Sequence, residues 1–121
     1  MTDDFDKSPF VLYEGQKFAI QQTEIFADWL SKLRDRQGRL RILARLRRLA
    51  DGNPGDYKSV GDGVLELRMM FGPGYRAYFT YKDEVVVLLL VGGDKSSQTG
   101  DIEVAKQLAG QVRDGTQDDD L

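Results

Sequence analysis

The chain has 121 residues, 40% of them hydrophobic, and a formal net charge of −3, which fits one domain that buries a core without cross-links. It contains neither cysteine nor histidine, so disulfides, thiolate metal sites, cysteine nucleophiles and histidine bases are excluded. An acidic start unlike a signal peptide and a longest apolar run of seven residues, against the roughly 20 of a membrane span, predict a cytoplasmic protein that does not enter the membrane.

Charge is unevenly distributed along the chain. Residues 1–16 carry four acids and one lysine, residues 114–121 carry four aspartates, and residues 17–113 carry 16 Lys and Arg against 12 Asp and Glu. We therefore expect a basic domain over residues 17–112, an acidic and weakly ordered extension over 1–16, and an acidic disordered tail over 113–121. Residues 10–13 are apolar enough for a short added strand. The acidic ends are either solvated or partly screen a basic face.

The first half of the chain predicts one strand and two helices. Lys17–Gln22 alternates as a strand does, and Thr23 is a suitable N-cap for a helix that runs to about Asp35. A second helix follows a break near Gly38 and carries leucines at every third position from 40 to 49, with Ile42 and Ala50 beside them, as its apolar face. Five arginines occupy most of its remaining surface: Arg39, Arg41, Arg45, Arg47 and Arg48.

The second half predicts strands separated by tight turns, and then a closing helix from Asp101 to about Val112. Its last strand is almost continuously apolar, as expected of a central strand covered on both faces. The order β-α-α-β-β-β-α predicts an α+β fold in which a small, mostly antiparallel sheet packs against the N-terminal helical hairpin. The strands are predicted at Val64–Phe71, Tyr75–Lys82 and Val85–Val91, with a short further strand at Tyr57–Val60.

Three cationic side chains of the β-rich half are candidates for phosphate binding. Arg68 and Arg76 flank a Gly-Pro-Gly turn, so closure of this hairpin places them on adjacent antiparallel strands, while Lys95 follows the end of the central strand. The guanidinium fork matches the geometry of phosphate oxygens. The alternative is that the arginines are exposed and paired with Glu66 or Asp83, and that Lys95 belongs to a simple turn.

Two further features favour nucleic acid. Alternation places Arg76, Tyr78 and Thr80 on one face of their strand, so Tyr78 is a candidate for stacking on a base, although such a ring also suits core packing. The five arginines of the second helix form a basic patch, which is either a solvated face or a docking surface whose affinity for a polyanion depends on salt.

Taken together, these motifs resemble the RelE/ParE superfamily of bacterial toxin–antitoxin toxins, and in particular its HigB-like branch, the phage-related addiction module killer proteins. The resemblance covers roughly residues 17–112. It is carried by the helical hairpin, ELR at 66–68, GPGYRAYF at 72–79, VVVLLLVGGDKSSQ at 85–98 and the Asp101-Ile102 start of the last helix.

The resemblance implies an endoribonuclease that cuts translated mRNA on the ribosome and is neutralised by a helix-turn-helix, HigA-like antitoxin. It implies no metal or organic cofactor. In such enzymes the ribose 2′-OH attacks the neighbouring phosphate, which requires a base, an acid and cations. By position, Arg76 matches the transition-state arginine of the family's YR motif, Lys95 matches the cation after the central strand, and Arg68 matches the LR arginine.

The sequence departs from the RelE pattern at other positions. The two lysines that RelE carries before the LR arginine fall at about Val64 and Glu66, its C-terminal tyrosine has no counterpart near Asp101, and the HigB-type histidines are missing. Glu66 is then a candidate base, and Lys58 or Lys95 a candidate acid. The departures leave two other functions open: a ParE-like DNA gyrase poison, and a non-catalytic module that binds antitoxin or nucleic acid.

Overall fold

A six-stranded sheet organises the part of the chain that this computed structural model describes, residues 11–114. The predictions for residues 1–10 and 115–121 lie outside that range. The strands are β1 Val11–Glu14, β2 Ala19–Gln22, β3 Tyr57–Gly61, β4 Val64–Arg68, β5 Arg76–Tyr81 and β6 Val86–Gly93. The helices are α1 Glu24–Lys32, α2 Arg36–Ala50 and α3 Gln98–Asp114, with a short 3-10 turn at Lys95–Ser97.

The strand order is β1-β2-β6-β5-β4-β3, and each neighbouring pair is antiparallel except β2 and β6, which run parallel. The predicted α+β fold with a mostly antiparallel sheet is therefore confirmed. Strand β1 forms within the segment predicted as a weakly ordered extension, where the apolar residues 10–13 favoured a short strand. Helix α3 extends to Asp114, slightly past the predicted end of the domain.

The helical hairpin covers one face of the sheet. Helix α1 begins as predicted, because the Thr23 hydroxyl accepts a hydrogen bond from the Phe26 amide at 3.0 Å. Phe26 and Leu30 are buried against the sheet, and the Trp29 ring packs at the edge of the same core. This face receives the odd-numbered side chains of β5, including Ala77 and Phe79.

Two predictions for helix α2 were wrong. The break between the helices lies before Asp35, which caps α2 by accepting from the Gly38 amide, so Gly38 is in the first turn rather than at the break. Leu40 is 64% exposed. A spacing of three falls short of the 3.6-residue turn, so the leucine row drifts around the helix. Leu46 and Leu49 of the row are buried, as are Ile42 and Ala50 beside it and Gly38.

Helix α3 covers the opposite face of the sheet and creates a second core. Ala105 and Ala109 pack there on the even-numbered side chains of β4 and β5, among them Val64 and Tyr78. Strand β6 contributes to both cores, which confirms it as a central strand covered on both sides. Within residues 11–114, no helix combines the length and hydropathy needed to cross a bilayer.

Candidate functional site

The strand register aligns the two strand arginines of the predicted site at one end of the sheet. Arg68 of β4 is the direct partner of Arg76 of β5, and Arg76 is the partner of Gly93 at the end of β6. Lys95 follows two residues later in the 3-10 turn and is exposed. Facing residues of neighbouring strands have Cβ atoms only about 5 Å apart, so this row concentrates positive charge. We refer to Arg68, Arg76 and Lys95 as the cation row.

The turn between β4 and β5 links the members of the row. Gly74 has φ +81°, a conformation that disfavours other residues, and a Cβ built there lies 3.4 Å from the Lys95 Cβ and 3.5 Å from the Arg76 Nη1. The Lys95 amide approaches the Pro73 carbonyl at 3.5 Å. The Gly-Pro-Gly turn thus contacts both cations, and no larger residue fits its third position without strain.

Arg76 is less accessible than the sequence suggested, since it is only 8% exposed. Its Nη1 donates to the Gly74 carbonyl at 3.0 Å and contacts the Tyr75 carbonyl at 3.4 Å, while its Nε lies 3.8 Å from Glu66 Oε2. Within residues 11–114 these contacts do not engage Nη2. The guanidinium is therefore held through Nη1 and Nε, which leaves Nη2 as its nitrogen without a hydrogen bond or ion pair to another described residue.

Glu66 is fully buried beneath the row. Its Oε2 accepts hydrogen bonds from the Tyr78 hydroxyl at 3.0 Å and from the Gln98 Nε2 at 2.8 Å, and its Oε1 has no hydrogen-bond partner among the described side chains. A carboxylate in this position cannot reach a ribose hydroxyl, so the structure contradicts its assignment as the base. Gln98 was missed by the sequence reasoning, although it ends the GGDKSSQ motif.

Tyr78 does not present a stacking surface. Its ring has no exposed area because α3 covers this face of the sheet, and burial, together with the hydrogen bond to Glu66, raises the pKa of its hydroxyl. The prediction that Tyr78 stacks on a base was therefore wrong. Its role is to hold the carboxylate that faces Arg76.

The remaining candidates of the sheet are accessible. Arg68 Nη2 pairs with Asp56 Oδ1 at 3.1 Å, and 35% of the Arg68 side chain is exposed. Lys58 is exposed on the edge strand β3, directly opposite Glu66. Asp94 precedes Lys95 and accepts from the Ser96 amide and hydroxyl, which lowers the pKa of its carboxyl. This capping fixes the backbone that carries Lys95.

The basic patch of α2 divides into one structural arginine and four surface arginines. Arg45 donates to the backbone carbonyls of Arg68, Pro54 and Asp56 at 2.8, 2.8 and 3.1 Å, and is therefore not available for docking as predicted. Two others pack on aromatic rings: Arg41 lies 5.0 Å from the centre of Phe71, and Arg47 lies 5.2 Å from that of Tyr13. The surface arginines of the original five are Arg39, Arg41, Arg47 and Arg48, with Arg39 half-buried.

Comparison with known proteins places the chain in a family. Residues 28–109, which include the C-terminal part of α1, all of α2 and the whole cation row, match the family described as Phage derived protein Gp49-like (DUF891). A Haemophilus influenzae (strain Rd) protein described as "Uncharacterized protein" is 51% identical over 90 residues, covering 74% of this chain and 91% of its own length. No solved structure matches. The chain therefore belongs to the phage-derived Gp49-like family, within the RelE/HigB-like toxin superfamily of addiction modules.

Proposed function

We propose that the protein is the toxin of a type II toxin–antitoxin system, in the HigB-like branch, and that it cleaves mRNA during translation. Membership in an addiction-module superfamily supports the toxin role. The observation that carries the nuclease is the register of Arg68 against Arg76 beside the turn that contacts Lys95. Such a toxin acts in the cytoplasm and is neutralised by a helix-turn-helix, HigA-like antitoxin.

In the proposed reaction the ribose 2′-oxygen attacks the adjacent phosphorus, and the bond from phosphorus to the 5′-oxygen breaks. The products are a 2′,3′-cyclic phosphate and a 5′-hydroxyl. Negative charge develops on the phosphoryl oxygens, where preorganised cations stabilise the transition state most effectively. Arg76 Nη2 and the exposed part of Arg68 fill this role, and the buried contact of Arg76 with Glu66 keeps its guanidinium in place.

Proton transfer is assigned to accessible groups. Lys95 is exposed beside Arg76 and donates a proton to the departing 5′-oxygen, with Lys58 on β3 as the other candidate acid. Asp56 replaces Glu66 as the base, since its carboxylate is exposed and lies 3.1 Å from Arg68 at the same end of the sheet. The surface arginines Arg39, Arg41, Arg47 and Arg48 dock the ribosome through phosphate contacts.

The decisive experiment expresses the toxin briefly and maps mRNA 5′ ends with and without ongoing translation. We expect cuts in phase with codons that disappear when translation is blocked. Lys95→Ala should reduce cutting at least about a hundredfold, the ordinary contribution of an acid catalyst. Lys82→Ala is the matched control, because it removes an exposed lysine from the turn at the opposite end of the sheet.

Arg76→Ala should abolish growth arrest, and Arg76→Lys serves beside it because alanine leaves the Glu66 carboxylate without its buried counter-charge. Circular dichroism of each variant separates lost folding from lost chemistry. Intact mRNA together with gyrase-dependent DNA breaks would instead identify a ParE-like poison. Tight antitoxin binding with neither effect would identify a non-catalytic module. Full toxicity of a folded Arg76→Ala variant would remove Arg76 from the site.

A further inference from the structure

A groove lies between β1 and α2, beside the hairpin and apart from the cation row. It has a volume of about 460 Å³. Leu40, which is largely exposed, and the half-buried Leu43 supply apolar surface along it. Solvent-facing leucines that line a concavity are typical of a docking surface. The lining is completed by Tyr13, Ala44, Arg47 and Arg48.

The groove is also strongly basic. Helix α2 carries no acidic residue between its cap, Asp35, and the residue that follows it, Asp51. Arg47 lies over the Tyr13 ring at one side of the groove, and Arg48 is exposed. An occupant that suits this surface therefore combines apolar side chains with acidic ones.

The position of β1 indicates which segment this is. Tyr13 faces Arg47, and a Cβ on Gly15 would collide with Ala50, so the strand and helix α2 run in the same direction. One residue of a strand spans about 3.3 Å, which is the length of roughly two residues of a helix. Each step back along β1 from Tyr13 therefore passes about two residues of α2. The end of β1 at Val11 consequently points along α2 toward Leu43 and Leu40.

The composition of residues 1–10 is complementary to the apolar and basic lining of the groove. Their sequence, MTDDFDKSPF, contains three aspartates, two phenylalanines and one lysine. We propose that this segment docks in the groove, with phenylalanine against Leu40 and Leu43 and aspartates against Arg47 and Arg48. Covalent attachment at Val11 gives the segment an effective concentration of order millimolar, so weak individual contacts suffice.

Docking of this segment screens the arginine face of α2 from other polyanions. This regulatory consequence rests on the proposed function, in which the same arginines hold the ribosome. The docking itself does not, because it follows from the groove, the direction of β1 and the composition of residues 1–10. The docking of the segment and the screening of the arginines are therefore tested by separate measurements.

The docking is tested by paramagnetic relaxation in the full chain, which contains no cysteine and so accepts one label cleanly. A nitroxide on Ser8→Cys should broaden the amide signals of Leu40, Leu43 and Ala44 but spare Val104 on α3. Leu40→Ser, a change at an exposed position, should weaken the broadening. Absence of broadening at α2 overturns the proposal. Broadening that arises only between labelled and isotope-labelled copies identifies a second molecule in the groove and also overturns it.

The screening is tested with two charge-matched variants and a short oligouridine RNA as probe. Asp3, Asp4 and Asp6 changed to Asn should tighten RNA binding at least about fivefold, the lower end of ordinary coupling between sites. The control changes Asp118, Asp119 and Asp120 to Asn, which alters net charge equally at the other end of the chain. An equal gain in RNA affinity in both variants would show a general effect of net charge and would refute screening by residues 1–10. RNA binding by neither variant counts against the proposed function, while the relaxation result stands independently.

Discussion

Arg45 fixes the backbone on which the cation row depends. Its guanidinium bridges α2 to the carbonyls of Pro54 and Asp56 before β3 and to that of Arg68 at the end of β4. Burial lowers the pKa of Arg45, but an arginine stays charged at any ordinary pH. One side chain thus satisfies three carbonyls at the same end of the sheet as the row.

Arg45→Ala should lower the free energy of unfolding by about 2 kcal/mol or more, because two partly buried carbonyls and one exposed carbonyl lose a charged donor. Arg48→Ala, a change of the same type on an exposed part of α2, should stay within about 0.5 kcal/mol. Urea unfolding of the two variants measures the difference. Equal losses would show that the bridge contributes no stability.

The pair Tyr75 and Asp35 ties the β4–β5 turn to the start of α2. The Tyr75 hydroxyl donates to Asp35 Oδ2 at 2.8 Å, and Asp35 also caps the helix. Burial and this hydrogen bond raise the pKa of Tyr75 to about 12. The bonds from the Gly38 amide and Tyr75 lower the pKa of Asp35.

The pH dependence of stability follows from the raised pKa of Tyr75. The Tyr75 hydroxyl contributes fully to the free energy of unfolding below pH 10, the ordinary pKa of tyrosine. This contribution disappears as pH rises to about 12, because the unfolded chain releases the proton at a lower pH than the folded protein does. Tyr75→Phe should lower the free energy of unfolding by about 1 kcal/mol at neutral pH. In urea titrations, the difference in this free energy between the variant and wild type should shrink between pH 10 and about 12. Tyr57→Phe, at an exposed tyrosine, controls for loss of a hydroxyl at neutral pH. A difference in the free energy of unfolding that widens with pH would contradict a raised pKa at Tyr75.

At the scale of elements, α1 approaches β6 closely because Gly92 has no side chain. A Cβ at Gly92 would overlap the Trp29 ring. The same ring packs against Phe26 and edge-on against Tyr75, with centroids 5.5 and 6.2 Å away. The position of α1 on the sheet, and of the strand end next to Lys95, therefore depends on this one glycine.

Gly92→Ala should destabilise the fold by about 1–3 kcal/mol through overpacking against Trp29. The matched control is Gly100→Ala in the first part of α3, where nothing lies within 4 Å of the new Cβ and alanine is the better helix former. That control should be neutral or stabilising. Thermal unfolding compares the two, and a Gly92→Ala variant as stable as wild type would mean that α1 can shift without cost.

On the scale of the whole molecule, two separate regions of the surface carry positive charge. The surface arginines lie on helix α2 of the hairpin, while the cation row occupies one end of the sheet. Under the proposed function, a long polyanion meets both regions, with the surface arginines providing affinity and the cation row the chemistry. Only the first contribution depends mainly on released counterions.

Arg47→Ala with Arg48→Ala should flatten the dependence of RNA affinity on salt. Each lost phosphate contact reduces the slope of log affinity against log salt by about 0.7 for a single strand. The control double variant, Lys106→Ala with Arg113→Ala, removes equal charge from α3 on the other face of the sheet. Titrations at several salt concentrations give the slopes. An unchanged slope for the α2 variant, or equal changes for both, would refute the docking role.

Local patterns predicted most of the fold, but failed where burial depends on a distant helix. Val85–Val91 was predicted as a central strand because its apolar run is continuous, and the strand forms at Val86–Gly93. Thr23 was predicted as a cap from its position, and it caps α1. Tyr78 and Glu66 were misjudged because α3, far along the chain, covers their face of the sheet. Nothing local to a strand reveals which of its polar residues a later helix will bury.

The parallel pairing of β2 with β6 has a consequence for synthesis of the protein. Their paired residues lie 67 positions apart, so β2 gains its parallel neighbour only after β6, which ends at Gly93, has been synthesised. Arg76 has Gly93 as its partner, so the end of the sheet that carries the cation row cannot assemble on a shorter nascent chain. A toxin directed at translation would thus stay harmless to the ribosome making it until almost the whole domain has emerged.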